Sequence, residues 1–283
     1  MVLTSEFRSH PPSVEVTKLL PVPEIICNLN VDKDTVREHI RQNIKRGLPQ
    51  VQPYETQWDK VVGLALGGST LKDFFPDLLE KRKNGMPVIT VNGTHKYCVD
   101  LGLIPSAMIM LDSREFNNRF IEPLLKDCKY FISSQCHPSV FDKLKDYKVW
   151  IWHVAGDENY DLLKQQYGEE YFPVMGGSTV SLRALHLLRL LGFHKFDIYG
   201  FDSCIIGSHH AYDQPENDDE EEIDVLVGGK EFRCTAAQYH QAKEFVEMIA
   251  KTGQYYDMIV NGDGLISHII NNPDSLKKKE EVN

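Results

Sequence analysis

From residue 60 to residue 202, short apolar runs alternate with stretches of helical period, and this alternation restricts the fold more than any other feature of the chain. VVGLAL (61–66) precedes a helical pattern at 71–83, MPVITVN (86–92) a segment around HKYCVDLG, and AMIMLD (107–112) the stretch REFNNRFIEPLLK. YFISSQ (130–135), VWIWHV (149–154) and FDIYGFD (196–202) complete the series, with VSLRALHLLRLLGF as a long helix between the last two. Runs that are apolar on both faces cannot leave either face in water, so helices must cover both. The pattern predicts a doubly wound, Rossmann-like α/β fold with a mostly parallel sheet. After Asp202 the rhythm breaks. IDVLV and KEFRCT, joined by Gly-Gly, predict a small hairpin insertion. TAAQYHQAKEFVEMIAKTG then reads as a helix ended by Gly253, and YYDMIVN as a last strand before GLISHIINN.

The chain divides into three parts on this reading. Residues 1–57 form an N-terminal extension that is rich in proline at first and then carries the helix DKDTVREHIRQNIKRGLP. Thr35 and Glu38 have capping-box spacing, and Gly47 with Pro49 stops the helix. Residues 58–272 are the Rossmann-like domain, and 273–283 a flexible tail. No apolar run approaches the ~18 residues of a membrane span, and the start MVLTSEFRSHPPS lacks a signal-peptide core. The six cysteines are scattered without a CxxC pair, which fits reduced thiols in a cytoplasmic protein rather than a disulfide frame or zinc site. The net charge is −10. Seven acids fall in PENDDEEEID (215–224), a solvated loop or a metal-attracting patch. Without a basic stripe, a nucleic-acid acceptor is not favoured. Homo-oligomer formation is compatible with the sequence.

In a doubly wound sheet, ligands sit outside the carboxyl ends of the strands. Gly67, Gly68, Ser69 and Thr70 follow the first predicted strand, Asn92 the second, Asp112 and Ser113 the third. His137 follows the fourth, His153 falls in the fifth, and Asp202 ends the sixth. The same four residues, Gly-Gly-Ser-Thr, recur at Gly176, Gly177, Ser178 and Thr179, just before the long helix. A helix N-terminus leaves backbone N–H groups unpaired and partly positive; glycine admits an anion closely, and serine or threonine adds a donor. Two such turns at neighbouring strand tips would cradle phosphates from two sides. The same residues also make an ordinary strand-to-helix turn with an N-cap. Neither copy is a P-loop or a GxGxxG, which disfavours an NAD site. Asp112 and Asp202 are placed to hold a divalent metal or bind a sugar hydroxyl, although isolated acids are weak metal ligands. His209 and His210, beside Tyr212, are candidates for a general base, since an imidazole titrates close to neutral pH. His137, His153, Tyr212 and Arg183 are candidate substrate contacts.

The series LALGGSTLKDF, PVITVNGTHKYCVDLGLIPSAMIMLDS and GGSTVSLRALHLLRLLGFHKFDIYGFD resembles the DUF115 group. That group holds the archaeal-type 6-hydroxymethylpterin diphosphokinases (MptE-like) and the flagellar motility accessory factors. More distantly, the chain is similar to the bacterial sialyltransferases of glycosyltransferase family 42. The matching pieces are Gly67–Leu71, Asn92, Gly102 to Asp112 and Gly176–Asp202, and the likeness extends over roughly residues 58–270. The proline of the family's GPSL turn is absent here. The resemblance implies a transferase with a nucleotide-activated donor. In the sialyltransferase relatives a histidine downstream of the GxD strand is the base, a stretch comparable to His209 and His210. The expectation favoured here is a glycosyltransferase moving a sugar from a nucleotide sugar to a hydroxyl on a small-molecule or glycan acceptor. One alternative is an MptE-like diphosphokinase acting from ATP on a pterin-like alcohol, with Mg²⁺ held by Asp112, Asp202 or the acidic loop. The other is a nucleotide-binding module without catalysis.

Overall fold

A computed structural model describes residues 31–156, 159–214, 221–252 and 257–272. Its main sheet contains β1 (Trp58–Ala65), β2 (Val88–Val91), β3 (Ala107–Met110), β4 (Lys129–Ser133), β5 (Lys148–Val154), β6 (Pro173–Val174), β7 (Phe193–Tyr199) and β10 (Asp257–Asn261). The strands lie in the order β10-β7-β1-β2-β3-β4-β5-β6, and each pairing is parallel. The chain thus steps outward from β1 to β6 and then crosses back to lay β7 on the other side of β1. The order reverses between β1 and β7.

Alternate side chains of one strand enter different cores. Ala107 and Ile109 of β3 pack with one helical layer, Met108 and Met110 with the other. That division is the physical content of an apolar run buried on both faces. One layer contains α6 (Val180–Leu190), α7 (Ala236–Thr252) and α8 (Leu265–Asn271). The opposite layer contains α2 (Leu71–Lys83), α3 (Thr94–Asp100) and α4 (Pro138–Lys143). The hairpin is β8 (Glu222–Val227) and β9 (Lys230–Thr235), closed by Gly228 and Gly229 with φ of 60° and 82°. Positive φ at both central residues is what a tight two-residue hairpin turn requires. Among the described residues no helix is long and apolar enough to cross a membrane.

Several boundaries differ from expectation. The first helix, α1 (Lys33–Ile44), is capped by Asp32, whose carboxylate accepts from the Thr35 amide at 2.9 Å and the Thr35 hydroxyl at 2.6 Å. Thr35 is therefore inside the first turn, and Glu38 bonds Arg41 and Gln42 rather than reaching back. The predicted strand 196–202 stops at Tyr199, because Gly200 turns the chain at φ +68° and Asp202 falls in the following loop. A helix α5 (Tyr160–Tyr167) and the two-residue β6 lie between β5 and α6, where only the long helix was expected. Both are too short to show a period in the sequence. Gly253, residues 215–220 of the acidic stretch and the tail 273–283 lie outside the described residues.

Candidate functional site

The reversal between β1 and β7 places the first Gly-Gly-Ser-Thr turn and Asp202 side by side. Asp202 is 3% exposed, and its carboxylate accepts from the Thr70 amide at 2.9 Å, the Thr70 hydroxyl at 2.5 Å and the Ser69 hydroxyl at 3.5 Å. Ser69 also donates to the Ile206 carbonyl at 2.8 Å. The anion at the start of α2 is thus the chain's own carboxylate, in the seat where a helix N-terminus favours negative charge. Burial raises the Asp202 pKa above the ordinary carboxylate value, against the pull of the Thr70 and Ser69 hydrogen bonds. The Asp202 carbonyl in turn accepts from the Ile266 amide at 3.3 Å, so β7, α2 and α8 meet at this one residue.

Over that turn lies the loop 203–214. The Ala211 amide donates to the Gly67 carbonyl at 3.0 Å, which seats the loop on the turn. His210 stacks on Tyr212 with ring centroids 5.9 Å apart, and a Cβ on Gly67 would lie 3.7 Å from His210 Nδ1 and 3.3 Å from the Tyr212 hydroxyl. A Cβ on Gly93 would overlap the Tyr212 ring. Two residues without side chains therefore leave a slot, and an aromatic ring fills it, edged by Phe120 and Tyr97. Burial pushes the Tyr212 hydroxyl pKa up; nearby Asp112 reinforces the shift and Arg119 opposes it. His209 points elsewhere: its Nε2 lies 3.2 Å from Glu222 on the hairpin. Of the two candidate bases, His210 is the one at the crevice.

The second Gly-Gly-Ser-Thr turn repeats the first in chemistry but not in place. Strands β1 and β6 are separated by four others, so the two turns are not at neighbouring strand tips as expected. Glu244 of α7 occupies the seat: the Ser178 amide lies 3.0 and 2.9 Å from its two oxygens, and the Ser178 hydroxyl donates at 2.7 Å. Gly177 leaves room for that carboxylate, which a Cβ would strike. Thr179 caps α6 by accepting from the Leu182 amide at 3.5 Å. Gln241 joins the regions, donating to the Thr179 hydroxyl at 2.6 Å and accepting from Ser203, next to Asp202, at 2.8 Å. Glu244 and Gln241 carry no sequence signal, since one turn of a helix far along the chain brings them here. Truncation in Glu244→Ala is expected to cost about 1 kcal/mol, the worth of a helix cap, read as a lower urea midpoint. An unchanged midpoint would mean that this carboxylate holds nothing.

The remaining candidates spread along the edge. Asn92 adopts φ +41°, and its side-chain oxygen accepts from the Leu111 amide at 3.2 Å, tying β2 to β3. Asp112 pairs with Arg114 at 2.7 Å, and Ser113 is buried beside it. His137 caps α4 by accepting from the Ser139 amide at 3.3 Å. His153 is 1% exposed and packs between Tyr167 and Tyr171, and burial holds its pKa down to about 3. Arg183 donates to the Val174 carbonyl at 2.8 Å and backs Gly176. The switch point therefore gathers Gly67, Gly68, Ser69, Thr70, Asp202, His210 and Tyr212, while His137, His153 and Arg183 are engaged elsewhere. Gly93, Phe120 and Tyr97 join the crevice unforeseen; the Asn92-Gly93 pair, a turn signal after a strand, is the one hint of them.

The model of the family described as 6-hydroxymethylpterin diphosphokinase MptE-like matches residues 37–208. The curated proteins contain no match. Among solved structures, the fold is similar to the MAf glycosyltransferase from Magnetospirillum magneticum AMB-1, with a TM-score of 0.65 and 16% identity over 82% of this chain. The present chain spans 36% of that protein's chain. A mammalian sialyltransferase superposes with a TM-score of 0.41 and 12% identity, covering 83% of this chain and 87% of that one. The likeness to the MAf glycosyltransferase shows a shared doubly wound fold.

Proposed function

Because the chain belongs to the 6-hydroxymethylpterin diphosphokinase MptE-like family, we propose that it is a transferase that takes a nucleotide-activated donor at the β1/β7 switch point. The group moved is a sugar from a nucleotide sugar, and the acceptor supplies a hydroxyl. One observation carries this reading: the glycine-rich turn, Asp202 and the His210–Tyr212 pair meet where the strand order reverses, the place at which such sheets bind ligands. His210 is the base that takes the acceptor's proton as its oxygen attacks the sugar's anomeric carbon and the nucleotide leaves. In this reading the Tyr212 ring, seated against Gly67 and Gly93, forms one wall of the donor crevice. Two cations near this edge, Arg114 and Arg183, are already engaged by Asp112 and by the Val174 carbonyl, which supports a donor of lower charge than a triphosphate.

The family's own description favours a second reading, diphosphate transfer from ATP. Of the carboxylates offered for Mg²⁺, Asp202 is engaged by Thr70 and Ser69 and Asp112 by Arg114, while residues 215–220 of the acidic loop lie outside the described residues. Among the described residues no group of three or more His, Cys, Asp or Glu side chains converges.

Thermal-shift measurements with CMP, UDP, GDP, ATP and nucleotide sugars, with and without Mg²⁺, separate the readings. A donor at a hundred times its Kd stabilises by about 2.7 kcal/mol. The expected result is stabilisation by one pyrimidine or guanine nucleotide and its sugar conjugate without metal. Stabilisation by ATP alone, and only with Mg²⁺, would replace glycosyl transfer by the kinase reading. His210→Ala is expected to lower turnover about 100-fold or more with nucleotide binding intact, and His209→Ala far less. Equal loss in both, or none in either, removes the base from His210. Failure to consume any donor leaves a binding module.

A further inference from the structure

A cavity of about 540 Å³ opens on the carboxyl edge of the sheet at the tips of β5 and β6, away from the switch point. We propose that it is a carbohydrate subsite that takes a neutral sugar ring. Its volume lies within the range of small-molecule sites, about 300–1,000 Å³. Tyr160 and Met175 stand at its margin with 50% and 61% of their surfaces exposed. Exposed large apolar side chains around a concavity mark a ligand surface more often than scattered ones do. Tyr171 forms a second wall, with its ring centroid 6.1 Å from that of Tyr160 and inclined at 58°.

The shape and charge of the cavity select the ligand. Two rings at that inclination make a corner and not a parallel slot. A flat nucleobase stacks best between parallel faces, whereas a pyranose offers C–H groups on one face and hydroxyls at its rim. Lys164 and Glu169, 2.5 Å apart, also line the cavity. Among the described lining residues they are the charged pair, a donor and an acceptor with no net charge, which serves hydroxyls and gives a phosphate no excess positive partner. Tyr171 is backed by buried His153, whose ring centroid lies 5.9 Å away, so one wall of the corner is fixed.

The position also constrains the acceptor. From β1 to β5 is four strand steps, or about 19 Å at the spacing of a sheet. A ligand that fills the cavity and presents a hydroxyl to His210 is therefore an extended saccharide, with this cavity holding a sugar remote from the reacting one. This part rests on the glycosyl-transfer reading; the subsite itself does not.

The test is saturation-transfer NMR on the full chain without nucleotide. The probes are the methyl glycosides of glucose, galactose, mannose, N-acetylglucosamine and N-acetylgalactosamine, with adenosine and inorganic phosphate for contrast. The expected result is transfer to the ring protons of at least one glycoside, weakened about tenfold in Kd by Tyr160→Ala and unchanged by Tyr54→Ala, an exposed tyrosine elsewhere. Lys164→Met, which keeps the apolar stem, gives a second reading should Tyr160→Ala lower the melting temperature. Binding of none of the glycosides overturns the proposal. So does glycoside binding untouched by both variants, and so does binding of adenosine or phosphate alone. Since no donor is present, a failed subsite and a failed donor assay are separate results.

Discussion

Gly68→Ala is expected to cost about 3 kcal/mol or more. The added methyl would lie 2.5 Å from an Asp202 carboxylate oxygen and 2.7 Å from the Gly200 carbonyl. Neither neighbour is the free end of a flexible side chain. The carboxylate is fixed by Thr70 and the carbonyl by the Gly68 amide itself at 2.8 Å. Relief of the contact requires breaking the buried clamp between α2 and the end of β7, which leaves unpaired polar groups inside. Urea unfolding of both proteins measures the cost. In Gly68→Ala/Asp202→Ala part of the loss already counted for one site should not be counted again, so the double variant is expected to be less unstable than the sum of the two. Strict additivity, or a Gly68→Ala penalty under about 1 kcal/mol, would show that the turn is not packed against Asp202.

Acidification from pH 7 to pH 5 is expected to remove about 4 kcal/mol of stability through two histidines. Burial holds the His153 pKa down to about 3, and it holds that of His95 down to about 4 against the Pro123 carbonyl. In the unfolded chain both titrate near 6.5. Below that pH the unfolded chain takes up protons that the folded chain refuses. Stability is therefore fully present above pH 6.5 and declines as the pH falls toward 4 for His95 and 3 for His153. At pH 5 each contributes a loss of about 2 kcal/mol. Asp202 acts in the opposite sense, because its raised pKa favours the protonated folded form as pH falls. His153→Phe keeps a ring between Tyr167 and Tyr171 and removes the titrating group. It is expected to leave stability at pH 7 equal or higher, since the two ring nitrogens have no hydrogen-bond partner among the described residues. It should also shrink the loss between pH 7 and pH 5 by about 2 kcal/mol. An identical pH profile for the two proteins would show that His153 is protonated in the folded chain.

Much of the site was legible without coordinates. The first Gly-Gly-Ser-Thr turn and Asp202 were expected on one edge of a parallel sheet and His209–His210 in the loop that follows, and the crevice between β1 and β7 holds the turn, Asp202 and His210 together. The sequence did not say which partner each polar group would take. Asp202 was expected to face a ligand, and it clamps Thr70; Glu244, on a helix 66 residues beyond Ser178, fills the second turn. His209 and His210 are indistinguishable as neighbours in a loop, yet one meets Glu222 and the other stacks on Tyr212.

The division has a simple physical cause. Apolar periodicity and turn chemistry act over a few residues, so the longer strands and helices, the two-glycine hairpin and the edge on which the polar residues collect were readable from the chain alone, while α5 and β6 were not. Strand order and the pairing of buried charges depend on contacts between segments more than a hundred residues apart, such as Thr70 with Asp202. Such contacts form only when the crossover returns β7 to the side of β1. The packed structure alone could decide that the two similar turns stand with four strands between them, each already holding a carboxylate of the chain.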